Sequence, residues 1–303
     1  MKALLFDEQG RLRSGWRALA FLFVFLGAAF LLAILEQVAV FGMQADVATG
    51  EAYFIIINTS GLLLLSIVLG AVATKVFEHK PFKTIGASFS AGWFRHLLIG
   101  LVLGTVAIGI AVLIALIAGG ESFVVNPVGS ETLTNSLLSS FAVFAVAAAW
   151  EEAFFRGYLL QTFVRSGFAI WAVVGMSCFF GLVHMGNKDS TVVSGLNTAL
   201  AGIVFSLAYL RTRDLCFPWG IHLMWNWMQG SFFGIEVSGV TSVSKEPFLR
   251  EIDRGPEWLT GATYGLEGSI SCTVALIILG VLIYVLPGLK PDPEVLKLNQ
   301  PGS

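Results

Sequence analysis

Charge is what this sequence has least of. Only 13% of its 303 residues are Asp, Glu, Lys or Arg, against about 25% in an ordinary soluble domain, and the mean hydropathy is +0.80. That scarcity excludes a soluble domain. The net charge is −2 and Lys and Arg form no cluster, so there is no nucleic-acid-binding footprint. Cysteine is as sparse: Cys178, Cys216 and Cys272 stand in or beside apolar runs, at spacings that suit neither a disulfide framework nor a zinc knuckle, and read as small buried hydrophobes. No His-Glu-x-x-His or Gly-x-Ser-x-Gly occurs, which removes a zincin-type protease and a serine-hydrolase elbow. Asp7, Asp46, Asp189, Asp214, Asp253 and Asp292 all fall in polar segments, which leaves no aspartate pair inside the membrane. Internal repeats and low-complexity tracts are also missing.

What the chain has instead is long apolar runs. A transmembrane helix needs about 20 mostly apolar residues. Runs at 18–40, 53–76, 94–118, 133–156, 168–185, 191–210, 215–234 and 269–287 predict about eight spans, the fifth to seventh short or interrupted. The expected fold is an all-α polytopic membrane protein with a central polar cavity. Residues 1–17 form a basic arm, 18–287 a membrane domain and 288–303 a Pro-rich, loosely ordered tail. Within the membrane domain the chemistry falls in about 133–234, and 235–268 is a polar insert resting on the bilayer surface. Basic residues set the orientation. With the N-terminus inside, only Lys188, Lys245, Arg250 and Arg254 lie outside, and the outer loops 41–52 and 119–132 carry no Lys or Arg. Both termini are therefore expected in the cytoplasm, with the economy of a bacterial plasma-membrane protein.

One stretch breaks the apolar pattern. Phe141 to Trp150 is unbroken apolar sequence, and Glu151, Glu152 and Arg156 follow at once. An ionisable side chain at the bilayer centre costs roughly 2.5–3.5 kcal/mol on insertion scales and usually faces a protein cavity. Adjacent helical residues point about 100° apart, so the glutamates divide their roles. Glu152 pairs with Arg156 at i,i+4, and Glu151 is left to face a cavity as a general base. His184 ends the fifth run, and a hairpin turning near Ser166-Gly167 brings it level with Glu151. His222 and Asn226 share a face of the seventh span. Their shallower depth matches that of Glu151 if 156–166 leaves the bilayer at Gly157 as an interfacial amphipathic piece. Glu36, near the outer end of the first span, reads as interfacial, and His79 and His96, in the basic inner loop, as solvated.

Glu-Glu-x-x-x-Arg at 151–156, Phe-x-x-x-His at 180–184 and His-x-x-x-Asn at 222–226 resemble, in order and spacing, the signature of the CPBP (ABI) intramembrane proteases. That family includes the type II CAAX prenyl endopeptidases and bacteriocin self-immunity proteins. The resemblance implies an intramembrane endopeptidase acting on a membrane-associated or lipidated peptide or protein. It implies that Glu151 activates a water held also by His184, and that His222 and Asn226 stabilise the oxyanion. Glu152, Arg156 and Phe180 match supporting positions. The family is named for metalloproteases, yet its members are also described as metal-free glutamate enzymes. Glu151, His184 and His222 would suffice for zinc with an open position. Asn226, a poor zinc ligand and a good donor, favours the metal-free route. A non-catalytic adaptor or immunity-type protein that retains the motif is the alternative. The expected partners are the bilayer and a membrane-associated substrate, not nucleic acid.

Overall fold

The computed structural model describes residues 2–7, 10–42, 47–240 and 242–300. Residues 43–46 of the loop after α2 and the last three of the tail lie outside it. Apolar sequence without Pro dictates long helices, and these dominate the chain. They are α1 (Lys2–Leu5), α2 (Ser14–Gly42), α3 (Val47–Glu78), α4 (Trp93–Ile117), α5 (Ser130–Glu152), α6 (Leu160–Arg165), α7 (Ala169–His184), α8 (Val192–Thr212), α9 (Cys216–Trp227), α10 (Glu257–Thr260), α11 (Ile270–Val285) and α12 (Pro293–Leu298). The protein is a helical, multi-pass membrane protein. Among the described residues, five helices are long and apolar enough to cross a bilayer: Ser14–Ala39, Phe54–Glu78, Trp93–Ile117, Ser130–Arg165 and Val192–Thr212. The expected count of eight is not reached by that measure, because α7 and α11 have only 16 residues each and α9 is an α-helix only over Cys216–Trp227 before turning into π turns at Met228–Phe233.

The all-α membrane architecture expected from the sequence holds, with one small addition: β1 (Glu121–Val125) and β2 (Leu249–Asp253) form an antiparallel ribbon with Glu121 opposite Asp253 and Phe123 opposite Glu251. A further expectation is corrected: 156–166 is not a separate amphipathic piece. The helix continues through π turns at Ala153–Leu159, kinked at Gly157 (φ −65°, ψ −105°), into α6. Every residue from Glu152 to Thr162 is buried. Its polar side chains face partners rather than water: Thr162 donates to Glu78 (2.7 Å), and Arg213 donates to Gln161 (3.2 Å).

The same partners tie the termini to the bundle. Glu78 sits between Arg17 (2.7 Å) and Arg165, and Arg165 also donates to Asn299 in the tail (2.9 Å). The tail is therefore docked rather than loose. Asp292 caps α12 through the Glu294 amide, and Val295 is buried. His96 is likewise not solvated. It is buried and bonded to the equally buried Asp214, whose other oxygen accepts from the Cys216 and Phe217 amides and so caps α9. His79 is exposed, and of the cysteines only Cys216 and Cys272 are buried, Cys178 being exposed. Glu36 accepts a bond from Asn58 across α2 and α3 (2.7 Å), an interhelical contact.

In lipid, apolar contact between helices gains little, so close backbone approach and buried polar pairs must hold the bundle. α4 packs on α9 and α7 on α8. At the first crossing a Cβ on Gly104 would fall 2.3 Å from the Ile221 carbonyl oxygen, and one on Gly220 would fall 2.8 Å from that of Leu97. Those glycines bring α9, one residue from His222, against α4.

Candidate active site

A cavity of about 340 Å³ lies inside the bundle, lined by Glu151 of α5, Phe180 and His184 of α7, Phe205 of α8, and His222 and Asn226 of α9. The residues singled out from three separate helices thus face one space. Glu151 Oε2 stands 3.9 Å from His184 Nε2 and 3.9 Å from His222 Nε2. That oxygen is buried and has no hydrogen-bond partner among the described residues.

Each ring is oriented from behind. His184 Nδ1 lies 2.8 Å from the Phe180 carbonyl oxygen one turn earlier, so Nδ1 carries the hydrogen and Nε2 turns to the cavity. His222 Nδ1 lies 2.9 Å from Glu152 Oε1. The same oxygen accepts from Arg156 Nη1 at 3.1 Å. Arg156, only 1% exposed, also donates to the Gly202 carbonyl (3.3 Å) and sits over the rings of Phe180 and Phe205, 4.7 and 5.3 Å from their centroids. Phe205 stacks on His222 at 4.8 Å and Phe180 lies 4.4 Å from His184. The expected Glu152–Arg156 pair is thus present. The sequence reading missed that it also grips His222. Spacing could not have found that contact, because Glu152 and His222 are 70 residues apart.

The cavity has a second carboxylate that the sequence reading passed over. Glu267 lies in the turn between α10 and α11 and lines the same space, with Ser238 and Asn187 beside it. Ser238 donates both its amide and its hydroxyl (2.7 Å) to Glu267 Oε2. Burial pushes this carboxyl above the usual range, while the bonds from Ser238 and the nearby His184 and His222 hold it back. The only sequence signal was an acidic residue between Gly265 and Gly268, which reads as an ordinary turn.

The two histidines stand farther from Glu151 than zinc ligands stand from one another. Tetrahedral coordination at 2.0–2.1 Å would place ligand atoms about 3.3 Å apart, closer than the 3.9 Å found here. Among the described residues no group of three His, Cys, Asp or Glu is arranged to hold a metal.

Residues 133–228 match the family model described as type II CAAX prenyl endopeptidase Rce1-like. The matched segment runs from α5 to the first residue of the π turns after α9 and contains all three motifs. No curated protein matches the chain.

Proposed function

The chain carries an Rce1-like domain of the CAAX endopeptidase family, and from that premise we propose that it is an intramembrane endopeptidase in which Glu151 activates the attacking water without a metal. The observation that carries this reading is the pair of 3.9 Å separations from Glu151 Oε2 to the two Nε2 atoms. They are too long for direct hydrogen bonds and suit contact through one water.

The water donates one hydrogen to the Glu151 carboxylate and one to His184 Nε2, which Phe180 keeps free as an acceptor. Attack on the scissile carbonyl forms the C–O bond and passes the water's proton to Glu151. The new oxyanion takes a hydrogen bond from Asn226 Nδ2, and one from His222 Nε2 when that ring holds its second proton beside Glu152. Collapse breaks the C–N bond, and Glu151 returns its proton to the departing amine. Arg156 and Glu152 touch no reacting atom and act by positioning His222. The surrounding Phe180 and Phe205 exclude bulk water. Eight spans, with α7, α9 and α11 the shorter ones around the cavity, and cytoplasmic termini complete the proposal. The cytoplasmic placement of the termini is supported by Arg17 and Arg165, which lie together at the end of the bundle where Glu78 and Asn299 meet them.

The test uses detergent-purified protein and a library of labelled membrane-associated peptides. Wild type is expected to cleave a subset, and Glu151→Gln to lose at least about 10³-fold in kcat while retaining peptide binding. Full activity in Glu151→Gln would overturn the mechanism. Activity abolished by a strong chelator and restored by zinc would overturn its metal-free form.

A further inference from the structure

The chemical character of the cavity wall narrows the substrate class, an inference that rests on the endopeptidase reading above. Two carboxylates line the cavity, Glu151 and Glu267, and among the described residues no Lys or Arg does. The nearest buried guanidinium, Arg156, is committed to Glu152, Gly202 and the aromatic rings behind the wall.

Glu267 is held in place by more than a loop's own tendency. Asn197 of α8 donates to the Glu267 carbonyl (2.9 Å) and to that of Ser269 (2.7 Å), and its own oxygen accepts from Thr273 (2.6 Å). Ser269 Oγ caps α11 through the Cys272 amide (3.1 Å). Gly265 adopts φ +88° and ψ −179°, and a Cβ there would fall 1.9 Å from the Glu236 carbonyl oxygen, so only glycine makes this turn. Ser238 fixes one carboxylate oxygen. A carboxylate held this firmly, in a cavity whose other carboxylate and imidazole side chains are Glu151, His184 and His222 and which has no Lys or Arg, repels an anion and favours a cation.

We propose that Glu267 is a specificity-determining residue that receives a cationic group of the substrate, so that the enzyme cuts membrane-associated peptides carrying a Lys or Arg side chain beside the scissile bond. A free C-terminal carboxylate or an acidic side chain at that position is disfavoured. The carboxylate makes this pair while Glu151 is reserved for the water.

The experiment pairs peptides that differ only by Lys against norleucine or Glu at each position around the cut, with free and acetylated N-termini distinguishing a side-chain cation from a terminal one. The proteins are wild type and Glu267→Gln, which still accepts from Ser238. The Lys peptide is expected to exceed its norleucine twin in kcat/KM by at least about tenfold in wild type, and the ratio to fall to near one in Glu267→Gln. Glu267→Lys should turn the preference toward the Glu peptide. Fluorescence anisotropy of the same pairs on the Glu151→Gln background reads the preference without turnover. Equal loss on Lys and norleucine peptides in Glu267→Gln, or no cation preference in either assay, overturns the inference. Failure of wild type to cut any peptide while the anisotropy preference persists sinks the endopeptidase reading and leaves this one standing.

Discussion

Two buried carboxylates, Glu152 beside the cavity and Glu121 on the β1–β2 ribbon, are 0% and 3% exposed and live in opposite circumstances. Glu152 has Arg156 and His222 on one oxygen. Glu121 has no hydrogen-bond partner on either oxygen among the described residues, and Asp253 stands across the strand pair from it. Inside the bundle the charge is neutralised by a neighbour, and on the ribbon it is neutralised by taking up a proton. Burial alone says nothing about whether a carboxylate is an ion. The groups supplied with it do.

The largest expected break in that comparison is Arg156→Met. Removing one partner of a buried pair leaves an uncompensated charge and costs about 3–5 kcal/mol. Thermal unfolding in detergent should show it, with cleavage lost as His222 is released. The double variant Arg156→Met/Glu152→Gln should recover much of the stability and none of the activity. Recovery of activity would mean that the pair has no positioning role. A smaller effect is expected at the α4–α9 crossing. Gly104→Ala puts a Cβ 2.3 Å from a carbonyl oxygen on α9. The strain should cost about 1–3 kcal/mol and lower kcat more than it raises KM, because it moves His222. Gly109→Ala on the same helix meets nothing within 4 Å and serves as the control.

The same contrast separates what could be read in the sequence from what could not. Hydropathy and local spacing located the long helices and the Glu152–Arg156 pair, because each depends on periodicity within a single run, and the three motifs marked Glu151, His184, His222 and Asn226. The exposed Cys178 and the short α7, α9 and α11 apart, the misreadings involved a partner distant in sequence. His96 looked solvated because Asp214, 118 residues away, could not be assigned to it. Residues 156–166 looked amphipathic because Thr162 and Arg165 needed Glu78 to be buried. The ribbon joins strands from two inserts, each of which alone reads as a polar loop. Glu267 enters the cavity in a turn held in part by Asn197, 70 residues earlier.

The smallest effect is expected on the ribbon itself, and its sign follows from the direction of two shifts. Burial and Asp253 push the Glu121 carboxyl up to about 8, and burial with Glu121, Glu236 and Asp253 pushes Glu251 up to about 9, from an ordinary value of 4.5. An unfolded ribbon ionises near 4.5, whereas the folded one resists until pH 8–9. The folded form is therefore fully favoured below the unfolded value and loses ground as pH rises through that window. The loss should be of order 1 kcal/mol once an edge ribbon relaxes toward water. Amide exchange over β1 and β2 should accelerate more between pH 6 and 9 than the pH dependence of intrinsic exchange explains, while α4 and α9 stay protected. Glu121→Gln should flatten that dependence and leave cleavage unchanged. Equal acceleration in Glu121→Gln would show that the ribbon's carboxyls are already ionised and paired, and would erase the contrast with Glu152.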